Sequence, residues 1–215
     1  HPAGAVWVCL TLSMVMGCEA SVSTAVNPGL QEYEVVVPAA PGPFSPSFVR
    51  LAPGESYRPG VHAEVEACGE CHPVHAEQWR GSAHALSSFN NPFYRFAFEE
   101  YTAAVGQQRG AFCGGCHDPL MMFDGAIGRE IVPDDPRAHG GITCNVCHGM
   151  TMATIDGVAS YESTTRPIPI PIEGDAASLA AHRARVGMAT LRTEALCVSC
   201  HRGFLSKESG HPTFL

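Results

Sequence analysis

The chain has 215 residues, a formal charge of −8 and Lys207 as its one lysine. That length suits one or two domains. An acidic surface without a lysine cluster argues against nucleic acid and anionic lipid headgroups as electrostatic partners.

Ala5 to Met16 is a twelve-residue apolar run, long enough for the core of an export signal and too short to span a bilayer. The sequence lacks a starting Met and a basic segment ahead of this run, so its front is expected to be incomplete. Val15-Met16-Gly17-Cys18 follows the pattern of a bacterial lipobox, which would make Cys18 an acylated membrane anchor; the alternative is an ordinary signal cleaved near Ala20 or Ala25. The expected division is 1–17 as a lipoprotein-type signal peptide, 18–60 as an anchor with a Pro-rich tether or arm, and 61–215 as one cofactor-bearing domain. Within the second part, Glu32 to Val37 predicts a short strand. Pro38 to Pro59 holds six prolines, which keep the backbone extended and unpaired.

At Cys68, Cys71 and His72 the chain reads Cys-x-x-Cys-His. The pattern returns at Cys113/Cys116/His117, Cys144/Cys147/His148 and Cys197/Cys200/His201. This is the attachment signature of c-type haem. Two thiols three positions apart each form a thioether to one porphyrin, and the adjoining imidazole turns beneath the ring to take the iron. Redox thiol pairs and zinc sites also use Cys-x-x-Cys. Zinc fingers, however, set their histidines well away from the cysteine pair, and the fourfold recurrence of an adjacent His favours four covalent haems. Eight of the ten cysteines are used in this way, leaving Cys9 and Cys18 and no disulfide framework. With one motif for roughly every 34 residues between Cys68 and His201, the haems are expected to supply most of the core. Thioether attachment takes place outside the bacterial cytoplasm, which agrees with the export signal and predicts a periplasmic or cell-surface protein.

After the first motif, Pro73 to Ser82 predicts a short helix. Asn91 then caps a second helix with Pro92 in its first turn, and Phe93, Phe96, Ala97 and Tyr101 recur at helical spacing as a stripe expected to pack on porphyrin. Gly125 to Gly141 reads as loop. Arg166 to Glu173 alternates proline with isoleucine, which permits only an edge or polyproline strand. Asp175 caps a helix whose Leu179, His182 and Val186 share a face, ending at Gly187. The motifs are unequally spaced without an internal repeat, so a solenoid is not expected.

Each iron would have a proximal imidazole from its motif (His72, His117, His148, His201) and one further axial position. The ligand there decides between electron carriage and substrate chemistry. The other histidines are His62, His75, His84, His139, His182 and His211, with His1 set aside as part of the leader.

The stretch from Cys68 to Ala85 with Trp79, Ser82 and His84, then Cys113 to His117, then Gly141 to Gly149, resembles the tetrahaem cytochrome c-554 family of multihaem c-type cytochromes. The resemblance covers roughly Cys68 to His201 and implies that His84 is a distal ligand to a haem elsewhere in the fold. The chain also departs from that family, whose members place another ligand His soon after the third motif. Met150 to Ala181 contains none. His182, on the apolar face of its helix, is the expected substitute, and His139 is similarly placed to reach a neighbouring haem. His75, three positions after His72, could point toward a second haem, while His62 and His211 are weaker candidates. Methionine is the competing ligand type. Met121, Met122, Met150 and Met152 read as gap-filling core residues, and Met188 is the first methionine to test.

The expected fold is mainly α with long loops, a compact multihaem cytochrome whose core is built by stacked haems. The expected function is electron relay through four covalent c haems, without catalysis, toward redox protein partners or a membrane electron-transfer complex, with self-association as an option. Two alternatives stand beside it: a redox enzyme with one five-coordinate haem acting on a small nitrogen compound, and a subunit of a haem-lined filament. The chain closes on Thr213-Phe214-Leu215 without a polar tail, as a portion of a longer multihaem protein would.

Overall fold

Local signals start most of the longer helices. Proline, which lacks the N–H that a first helical turn leaves unpaired, opens α2 (Pro73–Arg80) and α3 (Pro92–Val105). The Asn91 side chain accepts from the N–H groups of Phe93 and Tyr94, and that of Asp175 from Ala177 at the head of α7 (Ala176–Val186). These helices lie where the sequence predicts them. The computed structural model describes residues 42–56, 65–127, 129, 131 and 134–203. They fall in the larger of two compact units, Val35–Leu215. The expected signal peptide, Cys18, the Glu32–Val37 strand, His62 and His211 lie outside the described residues.

The other helices are short: α1 (Val65–Cys71), α4 (Ala111–His117), α5 (Pro119–Phe123), α6 (Cys144–Gly149) and α8 (Glu194–Val198). Single 3-10 turns cover Gln107–Gly110, Pro136–His139 and Ala189–Arg192. The fold is mainly helical with long connections, and among the described residues no helix is long and apolar enough to cross a membrane.

A small sheet, which the sequence does not predict, joins distant parts of the chain. β1 (Arg50–Leu51) runs parallel to β3 (Tyr161–Ser163), pairing Arg50 with Glu162, and β2 (Met150–Ala153) runs antiparallel on the other side of β3 with an irregularity between Met150 and Met152. Residues 42–56 therefore lie across the domain, with Phe44, Ser47, Val49 and Ala52 buried. Their anchor is Glu55, whose carboxylate accepts from Thr164 Oγ1 (2.8 Å), the Thr165 backbone N–H (2.6 Å) and Arg166 Nε (2.7 Å).

The polypeptide has an apolar core of its own, formed by Phe44, Phe89, Tyr94, Phe98, Met121, Phe123, Val146, Met150 and Tyr161, with Cys113, Cys116, Cys147 and Cys200 against it. The second, third and fourth motifs thus sit on this core. Helix α3 meets this core by a different face from the stripe expected to pack on porphyrin. On α3 the buried face is Tyr94, Phe98 and Thr102, whereas Phe93 and Phe96 are 84% and 66% exposed. Two neighbouring stripes of this helix both have helical spacing, and packing against Phe89 selects the one carrying Tyr94 and Phe98. Arg166 to Glu173 forms no strand and is mostly exposed, in keeping with a proline-spaced extended segment.

Candidate haem centres

In each motif a helical turn gathers the chemistry. Positions i, i+3 and i+4 share a face, so both thiols and the imidazole point the same way. The backbone N–H of His72 donates to the Cys68 carbonyl (2.9 Å), and that of His201 to the Cys197 carbonyl (2.8 Å). All eight motif cysteines are free thiols. Burial, with Asp118 adding to it, pushes the Cys113 thiol up to about 12, and burial beside other motif cysteines pushes Cys147 to about 11. A redox thiol pair needs the opposite shift; Cys200 has it, through a hydrogen bond with Cys116 of another motif and not with a cysteine of its own. Among the described residues no three His, Cys, Asp or Glu side chains are gathered into a metal-ion site.

Two of the motif imidazoles face a second imidazole from elsewhere in the chain. The His72 and His182 ring centroids are 6.2 Å apart with planes within 13° of parallel, and those of His84 and His201 are 6.1 Å apart. With metal–nitrogen bonds of about 2 Å, two imidazoles on opposite sides of one metal have centroids roughly 6 Å apart. The sequence candidates His182 and His84 therefore stand opposite the first and fourth motifs, at a separation one iron could bridge.

Hydrogen bonds set the orientation of these rings. His117 Nδ1–H donates to the Ser87 carbonyl (2.9 Å), His148 Nδ1–H to the Val186 carbonyl (2.9 Å) and His182 Nδ1–H to the Pro169 carbonyl (2.8 Å). Each bond fixes the tautomer and leaves Nε2 as the acceptor for a metal, the usual arrangement around ligating imidazoles. Burial lowers the pKa of His117, against the pull of the Ser87 carbonyl and with the nearby His201 adding to the effect, so the ring is held neutral. The flat face of His117 stacks on Tyr94 at 4.4 Å.

Backbone contacts place His84. Its carbonyl accepts from the Ile142 N–H (2.9 Å) and from Ser87 Oγ (2.9 Å). The Ile142 carbonyl in turn accepts from the Trp79 indole (2.6 Å). Gly141 has φ +58°, and a Cβ there would meet the His84 carbonyl oxygen at 2.3 Å, so only glycine permits this approach.

His75 is exposed, and its ring lies edge-on to His72 of its own motif, 5.8 Å away. His139 is exposed at the end of its 3-10 turn. Met121, Met122 and Met150 are buried in the core, Met152 is 41% exposed, and Met188 precedes the last 3-10 turn.

Residues 67–149 match the family described as cytochrome c554 and c-prime. This segment is that of a c554-like cytochrome. No curated protein and no solved structure matches the chain. The c554-like segment takes in the first three motifs together with His75, His84 and His139, while His182 and the fourth motif lie beyond it. A c-type cytochrome carries electrons on covalently bound haem c, and the free thiols and oriented imidazoles fit that group.

Sequence reasoning missed several residues that organise the c554-like site. Tyr161, 2% exposed, donates its hydroxyl to the Gly115 carbonyl inside the second motif (2.9 Å). Gly157, Val158 and Ala159 all have positive φ. The Val158 and Ala159 N–H groups donate to the carbonyls of Arg202 and Ser199, both at 2.8 Å, gripping the end of the fourth motif. Arg185 donates to the His148 carbonyl and, at 2.9 Å, to that of Arg166. None of these residues carries a motif. The positive φ of a valine, costly for a β-branched residue, leaves no trace in sequence.

Proposed function

We propose that this c554-like protein is a tetrahaem electron carrier working outside the cytoplasm, without catalytic turnover of its own. The haems would be held by Cys68/Cys71, Cys113/Cys116, Cys144/Cys147 and Cys197/Cys200, with His72, His117, His148 and His201 as proximal ligands. His182 would be the second ligand at the first motif and His84 at the fourth; His75 and His139 are the described histidines that would be left for the other two. Bound there, haem iron supplies one-electron exchange between ferric and ferrous states. The protein's part is to hold each imidazole in one tautomer, to exclude water with the aromatic core and to keep the motifs close.

The observation that carries this reading is the pair of imidazole separations, 6.2 Å for His72 and His182 and 6.1 Å for His84 and His201. A second imidazole at a motif would occupy the position a substrate would need, which suits a carrier better than a substrate-binding enzyme. The partners would be redox proteins or a membrane electron-transfer complex, and Cys18 would provide the lipid anchor.

The test is expression with haem-maturation machinery, followed by a pyridine haemochrome count and EPR. Four haems per chain are expected, with low-spin signals that lose intensity at one haem each in His84→Ala and His182→Ala. Fewer than four haems, or unchanged low-spin spectra in both variants, would overturn the assignment. A high-spin population in the native protein that shifts on adding nitric oxide or hydroxylamine would favour the enzyme alternative. Light scattering that shows only monomers would end the filament alternative.

A further inference from the structure

The two distal candidates share their segments with a second contact. His84 faces His201 of the fourth motif, and three residues later the Ser87 carbonyl accepts from His117 of the second motif at 2.9 Å. On α7, His182 faces His72 of the first motif, and four residues later the Val186 carbonyl accepts from His148 of the third at 2.9 Å.

Both segments are stiff over that distance. Ser87 Oγ is placed to donate to the carbonyls of His84 (2.9 Å) and His117 (3.2 Å), and the Ile142 N–H donates to the same His84 carbonyl (2.9 Å). His182 and Val186 are one turn apart within a single α-helix. A shift of either distal imidazole is therefore transmitted to a carbonyl that holds another motif's proximal ring.

We propose that Ser87 and Val186 are positioning residues that couple the haem sites in pairs, the fourth with the second and the first with the third. The proposal rests on the axial assignments made above. An acceptor on Nδ1–H increases the basicity of a ligating imidazole, and a more basic ligand favours ferric iron. Moving His84 away lengthens the bond from His117 to Ser87 and raises the potential at the second motif. Displacing His182 does the same at the third motif through Val186. The reduction of one haem is then sensitive to the ligand state of another through the chain itself, in addition to any charge interaction between them.

The test uses the full haem-loaded protein with labelled histidine. Gly141→Ala pushes on the His84 carbonyl without changing the type or charge of any ligand, and Ser87→Ala, which removes the hydroxyl tie and keeps the carbonyl, is the gentler second variant. His182→Met addresses the other pair. NMR of the reduced, diamagnetic protein reads hydrogen exchange at Nδ1–H, and EPR reads the distal site. In Gly141→Ala or Ser87→Ala the expected result is a changed EPR signal at the fourth motif, several-fold faster exchange at His117 and no change at His148; in His182→Met the response moves to His148. If the distal signal changes while His117 stays protected, or if His117 and His148 respond alike in both sets, the coupling is overturned. If no EPR signal changes in Gly141→Ala, Ser87→Ala and His84→Ala alike, the axial assignment itself falls, and the coupling with it.

Discussion

The indole N–H of Trp79 donates to the carbonyl of Ile142 at 2.6 Å, and the N–H of Ile142 donates to the carbonyl of His84 at 2.9 Å. One peptide unit thus connects helix α2, the entry to the third motif and the histidine that faces the fourth.

Trp79→Phe keeps an aromatic ring, though a smaller one, and removes the donor. It should cost about 1 kcal/mol of stability, the usual net value of one hydrogen bond. It should also raise the high-spin fraction at the fourth motif alone. Chemical denaturation and EPR check the two effects, and a high-spin signal at the first motif instead would contradict this route.

Gly115→Ala tests the packing of the second motif. The added Cβ would stand 2.3 Å from Ser47 Oγ and 2.5 Å from Ala159 Cβ. Overpacking of this kind costs typically about 1–3 kcal/mol. Gly69→Ala, between the cysteines of the first motif, would place Cβ 3.1 Å from Ala76 Cβ and should be the milder change. Urea midpoints for the two variants give the ranking, and equal loss would argue against it.

Tyr161→Phe leaves the Gly115 carbonyl without its hydroxyl donor inside the core. An unpaired buried acceptor costs about 1–3 kcal/mol. The loss should show in thermal and urea unfolding while four haems remain attached. An unchanged midpoint would mean that the bond contributes nothing.

Glu55 gives a pH dependence. Burial works against its charge, but the bonds from Arg166, Thr165 and Thr164 together outweigh it and bring its pKa from 4.5 down to about 2. The folded value lies below the unfolded one, so this stabilisation is present in full above the unfolded pKa and is lost as pH falls from about 4.5 toward 2. Glu55→Gln should flatten that part of the stability profile and lower the plateau above it. Denaturation midpoints between pH 6 and 2 measure this, and parallel profiles for the two proteins would refute it.

How much was legible follows from where each feature is encoded. The caps at Asn91 and Asp175 and the prolines at 73 and 92 act within one turn of their helices, so α2, α3 and α7 could be read directly. The sheet could not, because β1 has only two residues and its partner Glu162 lies far along the chain from Arg50. On α3, Tyr94 and Phe98 fit the same helical period as Phe93 and Phe96, so spacing alone does not say which stripe meets the polypeptide core. His84 and His182 were nameable as candidates, but which motif each faces is a matter of tertiary structure. Ser87 and Val186 act through backbone carbonyls that every residue carries.

The Glu55 clamp also sets an order of events. A chain emerging amino end first presents Glu55 early, but Thr164, Thr165 and Arg166 appear only after the first three Cys-x-x-Cys-His stretches have passed. Residues 42–56 can be fastened by those bonds only then, after three of the four stretches have already been made.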